Sequence, residues 1–148
     1  MQTPGINIAL TNCREIRFML NAPNEDVNAN TLKFGIINNV IPNVVEKNII
    51  VDFGVQYSYN NEAVLECRYA FQFDYVESND GELIQTTDNG IQMPEDIMKA
   101  IINISSGAIR GIMIARTIGS SLSKFPLPLL DLGRLMKDVR VIQPQDTK

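Results

Sequence analysis

The sequence predicts an α+β domain: a four-stranded antiparallel sheet in Greek-key or meander order, then a long helix and a short C-terminal helix. Three observations predict it. Apolar and polar residues alternate with period two through the first half, the second half changes to helical spacing, and no repeat or linker divides the 148 residues. A chain of this length buries about two-thirds of its unfolded surface, enough for one core without disulfides or metal.

The sheet is assigned to residues 1–76. Its first segment, 6–20, closes with Ile16, Phe18 and Leu20 alternating with Glu15, Arg17 and Met19, and 21–30 is rich in turn residues. In 32–41, Leu32, Phe34 and Ile36 share a side, the phase is lost at Asn38-Asn39, and Pro42 is expected to end or bulge the strand. The strongest strands are 49–59 and 64–76, where Phe53, Val55 and Tyr57, then Cys67, Tyr69 and Phe71, alternate with polar residues. Such long alternation marks antiparallel strands with one covered and one wet face. Asn60-Asn61-Glu62 between them reads as a tight turn.

Residues 77–93 are polar and read as a loop. Pro94-Glu95-Asp96 opens a helix over 94–118, with proline in the first turn and acids at the positive end of the dipole. Apolar residues occupy most of that helix's circumference, so it must be buried on more than one side. In so small a domain a second copy of the chain supplies the other side most simply, and Ile101, Ile104, Ala108 and Ile112 are the candidate oligomer contacts. Ser105, Ser106, Gly107 and Gly111 allow close approach there. A proline-rich connector (119–130), a short helix (131–140) capped by Asp131, and a tail (141–148) complete the domain.

Composition narrows the function. The chain has no histidine, which removes imidazole acid–base chemistry, Ser-His and Cys-His nucleophiles and histidine zinc sites. Thirteen basic against seventeen acidic residues leave a net charge of −4, unsuited to nucleic acid. Lys99, Asn103, Arg110 and Arg116 interrupt the most apolar stretch, so membrane insertion is not expected. Cys13 and Cys67 are isolated and read as reduced thiols. The start resembles no secretory signal, which points to the cytoplasm. Asp74, Glu77, Asp80 and Glu82 lack the spacing of a calcium loop. No catalytic, cofactor-binding or metal site is expected; a binding protein is.

Three stretches resemble the SecB-like chaperone family. Arg14-Glu-Ile-Arg-Phe-Met-Leu-Asn-Ala-Pro-Asn resembles the end of its first strand, and Leu65-Glu-Cys-Arg-Tyr-Ala-Phe-Gln-Phe-Asp-Tyr its fourth. Ile109-Arg-Gly-Ile through Phe125-Pro-Leu-Pro-Leu-Leu-Asp-Leu resembles its long helix, connector and last helix. The resemblance implies an ATP-independent holdase, a dimer of dimers built on the long helices, which keeps unfolded polypeptide soluble and in protein export delivers it to the SecA motor. It places the client groove at Leu65, Cys67 and Tyr69 on the helix-side face, and SecA docking at Glu15, Val64 and Glu66 on the opposite, wet face. Met19 stands where the family has a second first-strand acid. An alternative is therefore a SecB-like chaperone dedicated to one client, such as an antitoxin, or an interaction protein without SecA docking. A more distant alternative is a thioesterase of the hot-dog type, with Glu95 or Asp96 at the helix start.

Overall fold

The computed structural model describes residues 7–77, 83–87 and 90–142. Four long strands, β1 (Asn7–Leu20), β2 (Leu32–Asn43), β3 (Asn48–Tyr59) and β4 (Glu62–Val76), pair antiparallel in the order β1-β4-β3-β2. β2, β3 and β4 are consecutive hairpins and β1 returns beside β4, so of the two topologies considered the chain adopts the Greek key. Asn60 and Asn61 turn the β3–β4 hairpin with φ of 52° and 65°, the two left-handed residues of a type I′ turn. Asparagine tolerates that conformation better than most side chains.

After the sheet come a small hairpin, β5 (Gln85–Thr87) with β6 (Gly90–Gln92), then helix α1 (Glu95–Arg116), helix α2 (Leu132–Asp138) and strand β7 (Arg140–Val141). The class is α+β, but the sheet is five-stranded and mixed, not four-stranded and antiparallel. β7 runs parallel to β2 and pairs at Asn39 and Val40, with the Ile142 N–H donating to the Val40 carbonyl at 2.8 Å. Two-residue and three-residue strands are too short to show a period, so β7 read as helix and tail and the small hairpin as loop. Asp80, Glu82 and the tail beyond 142 lie outside the described residues. β2 runs straight through Asn38-Asn39 and Pro42. It is tolerant of Pro42 because Val40 and Pro42, two apart, face away from β3, where a missing N–H breaks no bond to it.

The core lies between the sheet and α1. Ile49, Val51, Phe53, Val55 and Tyr57 from β3, with Leu65, Cys67, Phe71, Phe73 and Tyr75 from β4, are each no more than 4% exposed. They form one cluster with Met98, Ile101, Ile102, Ile109 and Met113 of α1. Ser105 and Ser106 are buried on the same helix flank, their hydroxyls returned to the Ile101 and Asn103 carbonyls, so the helix presents small residues there with no polar atom left over. By length and hydropathy α1 is also sufficient to cross a bilayer; in this fold its apolar flank lies on the sheet.

Thr117 and Gly119 (φ 82°) end α1, and a 3-10 turn, Ser121–Lys124, capped by Ser120, leads into the extended stretch 125–130. That stretch is packed through Leu127, 2% exposed in the core with Phe125 and Leu130 against it, and it is also pinned by hydrogen bonds. Arg110 of α1 donates to the Leu127 carbonyl at 3.0 Å and the Pro128 carbonyl at 3.1 Å, and the Tyr57 hydroxyl donates to the Phe125 carbonyl at 2.9 Å. Asp131 then caps α2 by accepting from the Gly133 N–H.

Candidate functional site

The residues the resemblance assigns to a client groove share the helix-side face of β4, but α1 covers two of them. Leu65 and Cys67 are fully buried, and burial pushes the Cys67 thiol up to about 11. Tyr69 is partly exposed and its hydroxyl donates to Glu15 Oε1 at 3.0 Å.

The three docking candidates do not share the wet face. β1 carries two register shifts against β4, between Leu10 and Asn12 and between Glu15 and Arg17. Each extra residue reverses the side on which the following residues point. Glu15 therefore stands opposite Tyr69 on the helix side, where it is ion-paired with Arg116 of α1. Glu66 is on the other face, 3.0 Å from Arg17, and Val64 is in the core. Hydrogen bonds from Arg116 and Tyr69 hold the Glu15 carboxyl below its usual range, and the Arg116 guanidinium also sits 3.5 Å above the Phe18 ring.

Of the oligomer candidates, Ile101 belongs to the chain's own core, Ala108 and Ile112 are half-buried, and Ile104 is exposed. The bare flank of α1 takes in Ile104 from those candidates and Gly107 and Gly111, the small residues expected to allow close approach, but not Ile101, Ala108 or Ile112. Ile104, Gly107, Gly111 and Ile114, and Ile118 just beyond the helix end, are exposed at steps of three and four residues. A methyl group added at Gly107 or Gly111 meets nothing within 4 Å.

An open groove of about 490 Å³ lies at the other end of the sheet, between β2 and the pinned connector with α2. Phe34 and Ile36 form one wall, Pro128, Leu129 and Leu130 the other, with Asn38, Arg134 and Leu135 at the α2 side. Phe34 remains 49% exposed and Leu129 91% exposed, large apolar groups that the chain leaves to solvent. The volume is that of a ligand site, and the lining is mostly apolar with a few polar groups. Alternation alone reads Phe34 as core; the available signal was Phe125-Pro-Leu-Pro-Leu-Leu, an apolar run that its prolines keep from folding back into a helix.

The wet face of the sheet carries a charge clamp. Arg68 spans Asp52 with Nε–Oδ1 2.8 Å and Nη2–Oδ2 2.6 Å, and Asn39 donates to Oδ2 at 3.2 Å. Burial raises the Asp52 pKa, but the hydrogen bonds from Arg68 and Asn39 outweigh it and the carboxyl lies below its usual range. Among the described residues no three Cys, Asp or Glu side chains cluster as metal ligands do. Comparison with family models, with curated proteins and with solved structures finds no match for this chain.

Proposed function

We propose that the protein is an ATP-independent holdase of the SecB-like kind, binding unfolded or extended polypeptide in the cytoplasm as a dimer of dimers. The observation that carries this reading is the groove between β2 and the proline-rich connector: an unfolded chain gains affinity by burying apolar side chains against Phe34, Ile36, Leu129 and Leu130. Binding of this kind draws on burial alone and needs no reacting group. Self-association is supported by the bare stripe on α1. Its three-and-four spacing is the seam of a helix packed against a helix, and the open space over Gly107 and Gly111 admits a second backbone closely.

Delivery to SecA is one version of this role. The version without it, a chaperone dedicated to one client, is favoured by the state of the docking candidates: Arg116 occupies the Glu15 carboxylate and Val64 is buried, so no acidic face combining them with Glu66 is presented.

The test follows the turbidity of an unfolded, aggregating client with this protein added, alongside its mass by multi-angle light scattering. The wild-type protein suppresses aggregation without nucleotide, and the double variant Phe34→Ser, Leu129→Ser, folded by circular dichroism, suppresses it at least several-fold less. A monomer that leaves aggregation unchanged overturns the reading.

A further inference from the structure

Resting on the polypeptide-binding role above, the mode of binding follows from two features of β2 that the groove's apolar lining does not explain. The first is an unfinished strand edge. The Val40 carbonyl accepts from Ile142, so Val40 directs its backbone groups away from β3. β2 pairs with β3 without a register shift from Leu32 to Asn43, so Phe34, Ile36 and Asn38 direct theirs the same way. β7 covers this edge at Asn39 and Val40, and among the described residues no other strand pairs with the stretch before them. The molecule thus already adds a strand to one half of the edge and leaves the adjoining half open beside the groove.

The second feature is Asn38. It lines the groove yet is only 7% exposed. Its Nδ2 makes one long hydrogen bond, to the Leu135 carbonyl at 3.4 Å, and its Oδ1 is a buried acceptor with no partner. A buried polar atom left without a hydrogen bond is costly, and buried acceptors are paired in the great majority of cases. Asp131 and Asp138 stand beside a single guanidinium, Arg134, in the same lining, so the groove is net acidic and disfavours anionic ligands.

We propose that the groove seats an extended polypeptide segment as an added strand on the free half of β2, and that Asn38 Oδ1 accepts a hydrogen bond from a donor side chain of that segment. Backbone pairing at Phe34 and Ile36 sets the register, alternate apolar side chains fill the wall between Phe34 and Leu129, and a side chain on the same face next to Asn38 supplies the missing donor. Asn38 is then a specificity-determining residue of an otherwise promiscuous apolar site. It selects segments in which an amide or other N–H donor interrupts an apolar alternation, over segments that are apolar throughout.

The experiment measures fluorescence anisotropy of labelled nine-residue peptides alternating leucine and serine, one with glutamine and its partner with leucine at the central position. The wild-type protein binds the glutamine peptide about tenfold more tightly, the size of one buried hydrogen bond. Asn38→Leu brings that ratio to about one, whereas Asn38→Asp, which keeps an acceptor, retains it. N-methylation of alternate peptide amides weakens binding about tenfold in one phase and little in the other. Equal affinity of the wild-type protein for the two peptides overturns the role of Asn38, and equal effects of the two methylation phases overturn strand addition. Both comparisons use the wild-type protein and so stand even if the Asn38 variants fail to fold. Binding of neither peptide overturns the holdase reading itself.

Discussion

Along β3, Ile49, Val51, Phe53, Val55 and Tyr57 are sealed beneath α1, whereas along β1 every residue from position 9 to 17 is exposed. Both strands carry apolar residues at intervals that a sheet uses for a core. The difference lies in where the helix rests: α1 packs on β3 and β4, and Arg116 at its end reaches Glu15 and Phe18 of β1. Alternation states which face wants cover; the chain has one long helix and covers the middle of the sheet with it. The margins, β1 on one side and the first half of β2 on the other, are left without that cover among the described residues.

The sharpest way to break this contrast is to truncate one side chain in each region. Phe71→Ala, at the sealed centre of β4, lowers unfolding stability by about 3–5 kcal/mol, whereas Leu10→Ala on β1 changes it by less than about 1 kcal/mol. Urea unfolding followed by circular dichroism checks both, at a protein concentration low enough for the chain to be monomeric. Leu10→Ala costing as much as Phe71→Ala shows β1 to be covered in solution.

Much of the fold was legible because it is local. The long alternation of β3 and β4, the Asn60-Asn61 turn and the Pro94-Glu95-Asp96 helix start each act within a few residues. What was not legible depends on partners distant in the chain. β7 exists because the Val40 carbonyl at a sheet edge meets a residue about a hundred positions later. The site suffered most from this. The register shift between Glu15 and Arg17 puts Glu15 on the helix side with Phe18 and Leu20, and no period in the sequence marks a bulge. The groove arises where Arg110 and Tyr57 pin a connector whose path only the tertiary structure sets. Asn38 read as a break in β2; it is a strand residue whose side chain, polar among apolar neighbours, lines the groove.

The wet face tests the same contrast with charge. Asp52 is buried at the centre of the sheet although its face is open, because the Arg68 side chain lies flat over Gly54 to reach it; a Cβ on Gly54 would stand 3.0 Å from Arg68 Cγ. Arg68→Met leaves the carboxylate buried without its cation and lowers stability at neutral pH by about 2–3 kcal/mol, reduced from a fully buried pair by the partial exposure of Arg68. The sign with pH follows from the depressed pKa of Asp52. Its contribution is whole above the ordinary aspartate value of about 4 and is lost as pH falls through the lower folded value. Thermal unfolding of the two proteins therefore differs most at neutral pH. The gap narrows as pH falls, first as the uncompensated Asp52 of the variant takes up its proton and then as that of the wild type does, below about pH 4. A gap that is constant with pH shows Arg68 to act by packing alone. At the margin, Glu15→Gln leaves the unfolding temperature unchanged, because that pair is solvated on both partners.

The smallest effect on the isolated fold separates the two flanks of α1 most cleanly. Within one chain Gly107 and Gly111 serve no packing purpose: both lie inside the helix, both are exposed, and a Cβ at either meets nothing. Alanine costs less than glycine in a helix interior, so Gly107→Ala and Gly111→Ala each stabilise the monomer, by about 0.5–1 kcal/mol. If the stripe they share with Ile104, Ile114 and Ile118 packs against a second copy, the added methyl groups hold the two backbones apart and the same variants dissociate more readily. Stability rises while association falls. Unfolding midpoints at low concentration give the first quantity, and mass against concentration by light scattering gives the second. A double variant that is stabilised and still assembles as the wild-type chain does moves the contact away from this stripe; a variant that is destabilised as a monomer shows the flank to be covered by the chain itself.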